Sequence, residues 1–202
     1  ILSYPLNIDE LTGKKIVSDI VDSGENAIAI FNDNVILGFS ALNHFQLQQR
    51  NFLYIHFLTG IGAAYFMKGQ VFGDAGGKLT QFGHCIVTPN GKKCSCGAFG
   101  CLEAEIGEIA LREKIRKHYG QVEEFPLGEG KYLEWLIRQE GTDTSFFSVI
   151  KEEYIRDLAF AICNASTMVF PDLILLGGYF YLWGEEFLEE LEEEIQRTGF
   201  SY

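Results

Sequence analysis

The hydrophobic pattern changes character along the chain. In the first half apolar residues come in short, dense runs rich in β-branched and aromatic side chains; in the second they recur every three or four positions. KKIVSDIV (14–21) reads as a strand entered through a turn at Thr12-Gly13. Gly24 opens a predicted helix over ENAIAIFNDNVIL (25–37). NFLYIHFL (51–58) is a second strand, apolar and aromatic with almost no charge, as expected of a sheet covered on both faces. GAAYFMKGQVF (62–72) is its hairpin partner, with the turn at Thr59-Gly60-Ile61-Gly62. HCIVTP (84–89) is short and extended, and Pro89-Asn90-Gly91 makes a turn.

Beyond the cysteine-rich loop the pattern is helical. IALREKIRKHYG ends at Gly120, a suitable residue for closing a helix. KYLEWLIRQEG repeats the pattern. The longest helix starts near Thr144 or Ser145, carries Phe147, Ile150, Tyr154, Leu158, Ile162, Ala165 and Val169 on one stripe, and stops before Pro171. LILLGG (173–178) reads as a buried strand running into two glycines. An acidic helix, GEEFLEELEEEIQ (184–196), follows with a solvated face. Strands, then helices, then a late strand–Gly-Gly–helix unit predict a mixed α/β layer fold. There is no internal repeat and no low-complexity linker.

Composition narrows the function classes. A chain of 202 residues can build one good core or two small ones, and 47% hydrophobic residues argue against disorder. No apolar run approaches the roughly 20 residues of a membrane helix. The chain opens at Ile1 with no basic segment, so no export signal is visible and the expected compartment is the cytoplasm. The absent initiator Met is expected of a piece of a longer polypeptide. A net charge of −12 repels phosphate backbones, so any DNA contact would need a domain outside this chain.

Four of the five cysteines and a histidine gather between Gly83 and Glu105. His84, Cys94, Cys96 and Cys101 follow H-x9-C-x-C-x4-C. Three thiolates and one imidazole make a closed tetrahedral set for structural zinc. Gly91, Gly97 and Gly100 let the backbone turn around the ion. The alternative, a disulfide, needs an oxidising compartment. Cys85 and Cys163 stand in apolar contexts and read as small buried hydrophobes. A four-ligand ion has no open position, so it would brace and not catalyse. Glu103 lies two residues past Cys101, and the second ring nitrogen of His84 is free for another partner. Together they could read adjacent sugar hydroxyls; the alternative is an exposed carboxylate with no ligand.

GH…G-x-x-C-x-C-G-x-x-G-C-L-E closely resembles the ROK family of bacterial sugar repressors and sugar kinases. YPLNIDEL (4–11), FLYIHFLTGIGAAYFMKGQVFGDAGG (52–77) and FPDLILLGG (170–178) extend the resemblance over most of the chain. It implies a ribonuclease-H-like, actin-like ATPase (sugar kinase) fold, with residues 1–202 forming the larger C-terminal lobe. It also implies zinc on His84, Cys94, Cys96 and Cys101, and sugar contacts from Glu103 and His84. The family's E-N-D-A-N-A, whose Asp is the general base, aligns with DSGENA (22–27) on the following Asn-Ala, putting Ser23 at the Asn and Gly24 at the Asp. Asp22 is a substitute base only if the chain slips by two residues. The family's E-x-G-H becomes Gln81-Phe82-Gly83-His84, and the resemblance implies Gln81 and Ser23 as sugar contacts beside Glu103 and His84. The phosphate hairpin G-T-G-I-G-x-G keeps Thr59, Gly60 and Gly62 but carries Leu58 and Ala64 in place of glycines; Gly177 and Gly178 are the other phosphate-side remnant. The D-x-G-G-T phosphate loop and any winged helix would lie outside these residues.

The resulting expectation is a non-enzymatic, sugar-sensing effector domain of a dimeric transcriptional regulator, with zinc as its cofactor and a sugar as its ligand. The alternative is an ATP-dependent sugar kinase using Asp22 as base. A third possibility is a zinc-braced scaffold that no longer binds sugar.

Overall fold

The structure, a computed structural model, describes residues 32–73, 81–120 and 131–199. The strand expected at 14–21, the start of the helix expected at 25–37, and Asp22, Ser23 and Gly24 lie outside these residues.

Among the described residues four strands form one mixed sheet: β1 (Asn51–Phe57), β2 (Ile61–Met67), β3 (Gln70–Val71) and β4 (Leu173–Gly178), in the order β3-β2-β1-β4. β1 pairs antiparallel with β2 and parallel with β4. Side chains alternate across a strand, and here both faces are covered. Leu53, Ile55 and Phe57 of β1 join Ile61, Ala63 and Tyr65 of β2 in a large core with the later helices. Phe52, Tyr54, Ala64 and Phe66 point the other way, onto Val35 and Leu42 of helix α1 (Asp33–His44). The uncharged run at 51–58 therefore has the environment its composition predicts.

The helical layer holds α2 (Leu102–Ile106), α3 (Glu108–Tyr119), α4 (Lys131–Ile137), α5 (Thr144–Val169) and α6 (Gly184–Thr198). α3 ends at Gly120, whose φ of 76° suits glycine. α5 starts where the Asp143 carboxylate accepts from the Phe146 N–H at 3.1 Å. Its stripe of Phe147, Ile150, Tyr154, Leu158 and Ile162 is buried. Phe170 closes the helix in the left-handed region, one residue before Pro171. α6 buries Phe187 and Leu191 and leaves its acidic face outward, where Lys151 bridges Glu186 and Glu190 at 3.0 and 2.8 Å.

Four expectations need correction. The helix predicted over 25–37 cannot run through Asn32, which is extended and caps α1 by accepting from the Asn34 N–H. The strand predicted over 62–72 is two strands, because Lys68 and Gly69 both take positive φ and turn the chain. HCIVTP is not a strand: a short 3-10 turn spans Phe82–His84, and only Ile86 pairs, as an isolated bridge to Cys101. LILLGG is half-exposed and not buried, because β4 is an edge strand among the described residues.

Candidate functional site

His84, Cys94, Cys96 and Cys101 converge. Their ligand atoms all lie within 4.8 Å of one another. His84 Nδ1 is 3.5 Å from Cys94 Sγ, and Cys96 Sγ is 3.7 Å from Cys101 Sγ. Zinc bonds of about 2.3 Å to sulfur and about 2.0–2.1 Å to nitrogen give tetrahedron edges of about 3.8 Å (S–S) and about 3.5 Å (S–N). The donor set therefore fits a tetrahedral ion in chemistry, and these two edges fit it in spacing. His84 faces Cys94 with Nδ1, which leaves Nε2 pointing away from the thiols.

Backbone hydrogen bonds shape this loop. The Cys94 N–H donates to Ala98 at 2.8 Å, and Gly97 donates back to Cys94 at 3.0 Å. Gly100 receives the N–H groups of Val87 and Thr88 and donates to Lys92. A side chain at Gly100 would overlap the Thr88 carbonyl, so this position requires glycine. Burial pushes the Cys101 thiol up to about 12, with the Cys96 and Cys94 thiols adding to it, whereas the Ala98 backbone pulls Cys96 down. A cation at their centre would favour the thiolate form.

The loop delivers an acid to the β1–β2 turn. Cys101 leads directly into α2, and Glu103 in its first turn reaches the hairpin, where Oε2 accepts from the Ile61 N–H at 3.2 Å. A side chain at Gly60 would overlap this carboxylate, and one at Gly83 would overlap the Ile61 carbonyl. Thus Gly60, Ile61, Gly83–His84 and Glu103 form one packed corner. Beside it lies a cleft of about 730 Å³ lined by Thr59, Gly60, Glu103, Lys92, Lys93 and Glu113, among others. Gln81 is exposed just before the 3-10 turn that carries His84. Gly177 and Gly178 close β4 beside His56 and Phe57 of β1. Ala64 is fully buried against α1, so its methyl group crowds nothing at the turn. Leu58 is 37% exposed at the turn itself.

The sequence reading passed over one acid here. Asp33 opens α1, and its charge acts on Tyr54 and His56 of β1. Its neighbour Asn34 fills the space a side chain at Gly62 would need. The signal was visible: Asn32-Asp33-Asn34 is a capping sequence directly before an apolar helical run.

The chain is 27% identical over 158 residues to the xylose repressor of Caldicellulosiruptor bescii, covering 73% of this chain and 38% of that protein. It is 27% identical over 146 residues to the glucokinase of Thermotoga maritima, covering 68% of this chain and 45% of that one. The chain thus spans less than half the length of these curated relatives. In fold it is similar to a ROK family glucokinase from Streptomyces griseus solved with glucose and AMPPNP, with a TM-score of 0.75, 20% identity, and coverage of 96% of this chain and 65% of that one. The ROK family profile matches residues 6–202, nearly the whole sequence, and the chain belongs to the ROK family.

Proposed function

We propose that this chain is the sugar-sensing effector domain of a ROK-type transcriptional regulator, braced by structural zinc on His84, Cys94, Cys96 and Cys101. One observation carries the regulator reading. The β1–β2 turn spends two of its backbone donors internally: the Leu58 N–H donates to the Gly60 carbonyl at 3.0 Å, and the Ile61 N–H donates to Glu103. A phosphate cradle needs such N–H groups free. This turn instead holds a carboxylate, which repels phosphate and suits a sugar hydroxyl. Glu103 and His84 Nε2 are the proposed sugar contacts, with Gln81 nearby. Zinc supplies only rigidity, since its four positions are taken. Sugar binding then biases a homodimer between two states, which needs differential affinity and no catalysis. DNA contact belongs to the complete polypeptide in this reading.

Asp33 favours a second reading, an ATP-dependent sugar kinase. Asn32-Asp33 also matches the Asn-Asp pair of the family's E-N-D-A-N-A, and at the start of α1 it is a better-supported base than Asp22. Calorimetry on the complete native polypeptide separates the two, using glucose, N-acetylglucosamine and xylose with and without ATP. The regulator reading expects sugar binding that ignores ATP, with no heat of turnover. Sustained heat with sugar plus ATP, abolished in Asp33→Asn, would establish the kinase instead.

A further inference from the structure

His56 stands near the end of β1, and the strand register isolates it. Its partner is Gly62 on β2 and Gly177 on β4, neither of which has a side chain. Other polar groups take the vacated space. The Asn34 amide occupies the position a Cβ on Gly62 would fill, and the Tyr54 hydroxyl the position of one on Gly177. A Cβ on Gly178 would come within 3.0 Å of His56 Cε1. Asn34, His56 and Tyr54 thus form a polar row across the sheet where the parallel strands β1 and β4 both end. In open α/β sheets the crevice outside the carboxyl ends of the strands is the ligand-binding place.

The chemistry of the row is directional. The Tyr54 hydroxyl lies 2.9 Å from His56 Nδ1. Burial, aided by the charge of Asp33, raises Tyr54 above its ordinary value, so the hydroxyl keeps its proton and can donate it to Nδ1. The ring proton then sits on Nε2. Burial also lowers His56 below its ordinary value, although Asp33 opposes this, so the ring is neutral at neutral pH. Nε2 makes no hydrogen bond to any described residue. A donor at Nε2 suits the oxygen of a hydroxyl group. Phosphate is a poorer fit, because Asp33 repels its charge.

We propose that His56 is a specificity residue of the crevice at the carboxyl ends of β1 and β4, donating from Nε2 to one hydroxyl oxygen of a bound sugar, and that Tyr54 is the positioning residue that sets its tautomer. The proposal rests on the sugar-binding reading above but holds for a regulator and a kinase alike.

The test is calorimetric titration of the complete native polypeptide with glucose, xylose and N-acetylglucosamine, then with the monodeoxy analogues of the sugar that binds. His56→Asn, whose amide reaches only as far as Nδ1, should weaken binding about tenfold, the scale of one hydrogen bond. His56→Gln, whose amide reaches the Nε2 position, should stay within about threefold of the wild type. One monodeoxy analogue should bind the wild type about tenfold more weakly and lose nothing further in His56→Asn, because the two changes remove the same contact. Equal behaviour of the Asn and Gln variants, or additive losses with every analogue, overturns the proposal. Should His56→Asn fail to fold, the Tyr54→Phe cycle against the same analogues decides, and additivity again overturns it. A wild type that binds none of the three sugars overturns the sugar reading and this inference together. Sugar binding that is unchanged in His56→Asn overturns this inference alone.

Discussion

Residues 83–103 and helix α5 hold their shape by opposite means. In the first, four ligand atoms and a set of backbone hydrogen bonds define the path, while Ile86 and Phe99 stay more than half exposed. In the second, Phe147, Ile150, Tyr154, Leu158 and Ile162 are driven into a core by apolar burial. The loop has too little apolar surface inside to fold by that route, so on the zinc reading its stability is metal-binding energy. The helix needs no ion. The difference separates two roles: Glu103 and His84, the proposed sugar contacts, belong to the region whose shape is chemical, and α5 supplies the wall behind it.

The strongest way to break this comparison is to remove the metal. Structural zinc supplies about 10–16 kcal/mol in zinc-finger peptides. Chelation at neutral pH, or Cys96→Ser, should therefore abolish amide-exchange protection through 84–103 while α5 amides keep theirs. Equal loss in both regions would mean that they are one cooperative unit. Next in size, Leu158→Ala should cost about 2–5 kcal/mol in urea unfolding, the usual penalty for emptying a core site, and leave metal content at wild-type level. A smaller effect is expected of Gly100→Ala, which forces a side chain into the Thr88 carbonyl at a φ of 75°. Strain of about 1–3 kcal/mol should appear as weaker metal retention in a chelator competition, with little change at α5.

The smallest effect sharpens the helical side. Asp143 caps α5 and also meets His118 Nε2 and the Tyr119 hydroxyl at 2.8 Å each, tying the end of α3 to the start of α5. The His118 contact first, then the Phe146 N–H and the Tyr119 hydroxyl, hold this carboxyl well below its ordinary 3.8. A depressed acid stabilises the fold above its unfolded value and loses that contribution as pH falls toward the folded one. Melting temperature should therefore drop on acidification below about pH 4, with a shallower drop in Asp143→Asn. An unchanged acid limb would show that the cap carries none of it.

Much of this was legible in advance, for identifiable reasons. The stripe of α5 is a long 3.6-residue period, which burial enforces from Phe147 to Ile162. The convergence of His84, Cys94, Cys96 and Cys101 was legible because ligand chemistry permits few residue types and its turns demand glycine. Asp33 was missed because DSGENA offered a competing Asn-Ala anchor, and a match of letters outweighed the capping logic of Asn32. The split of 62–72 was missed because Lys68 gives no hint of a positive φ; only Gly69 beside it does. β4 looked buried because an apolar run records what a strand touches and not how many neighbours it has.

The parallel pairing of β1 with β4 has a consequence in time. The Asn51 N–H donates to the Asp172 carboxylate at 2.9 Å, across 121 residues of sequence. At synthesis rates of about 5–20 residues per second, the edge of β1 waits about 6–24 seconds for the strand that covers it. The hairpin and the cysteine loop are both complete within that interval. During translation the nascent chain therefore holds its metal-ligand set, and presents an open strand edge, before its sheet is finished. On the zinc reading, the ion can bind while the edge of β1 is still uncovered.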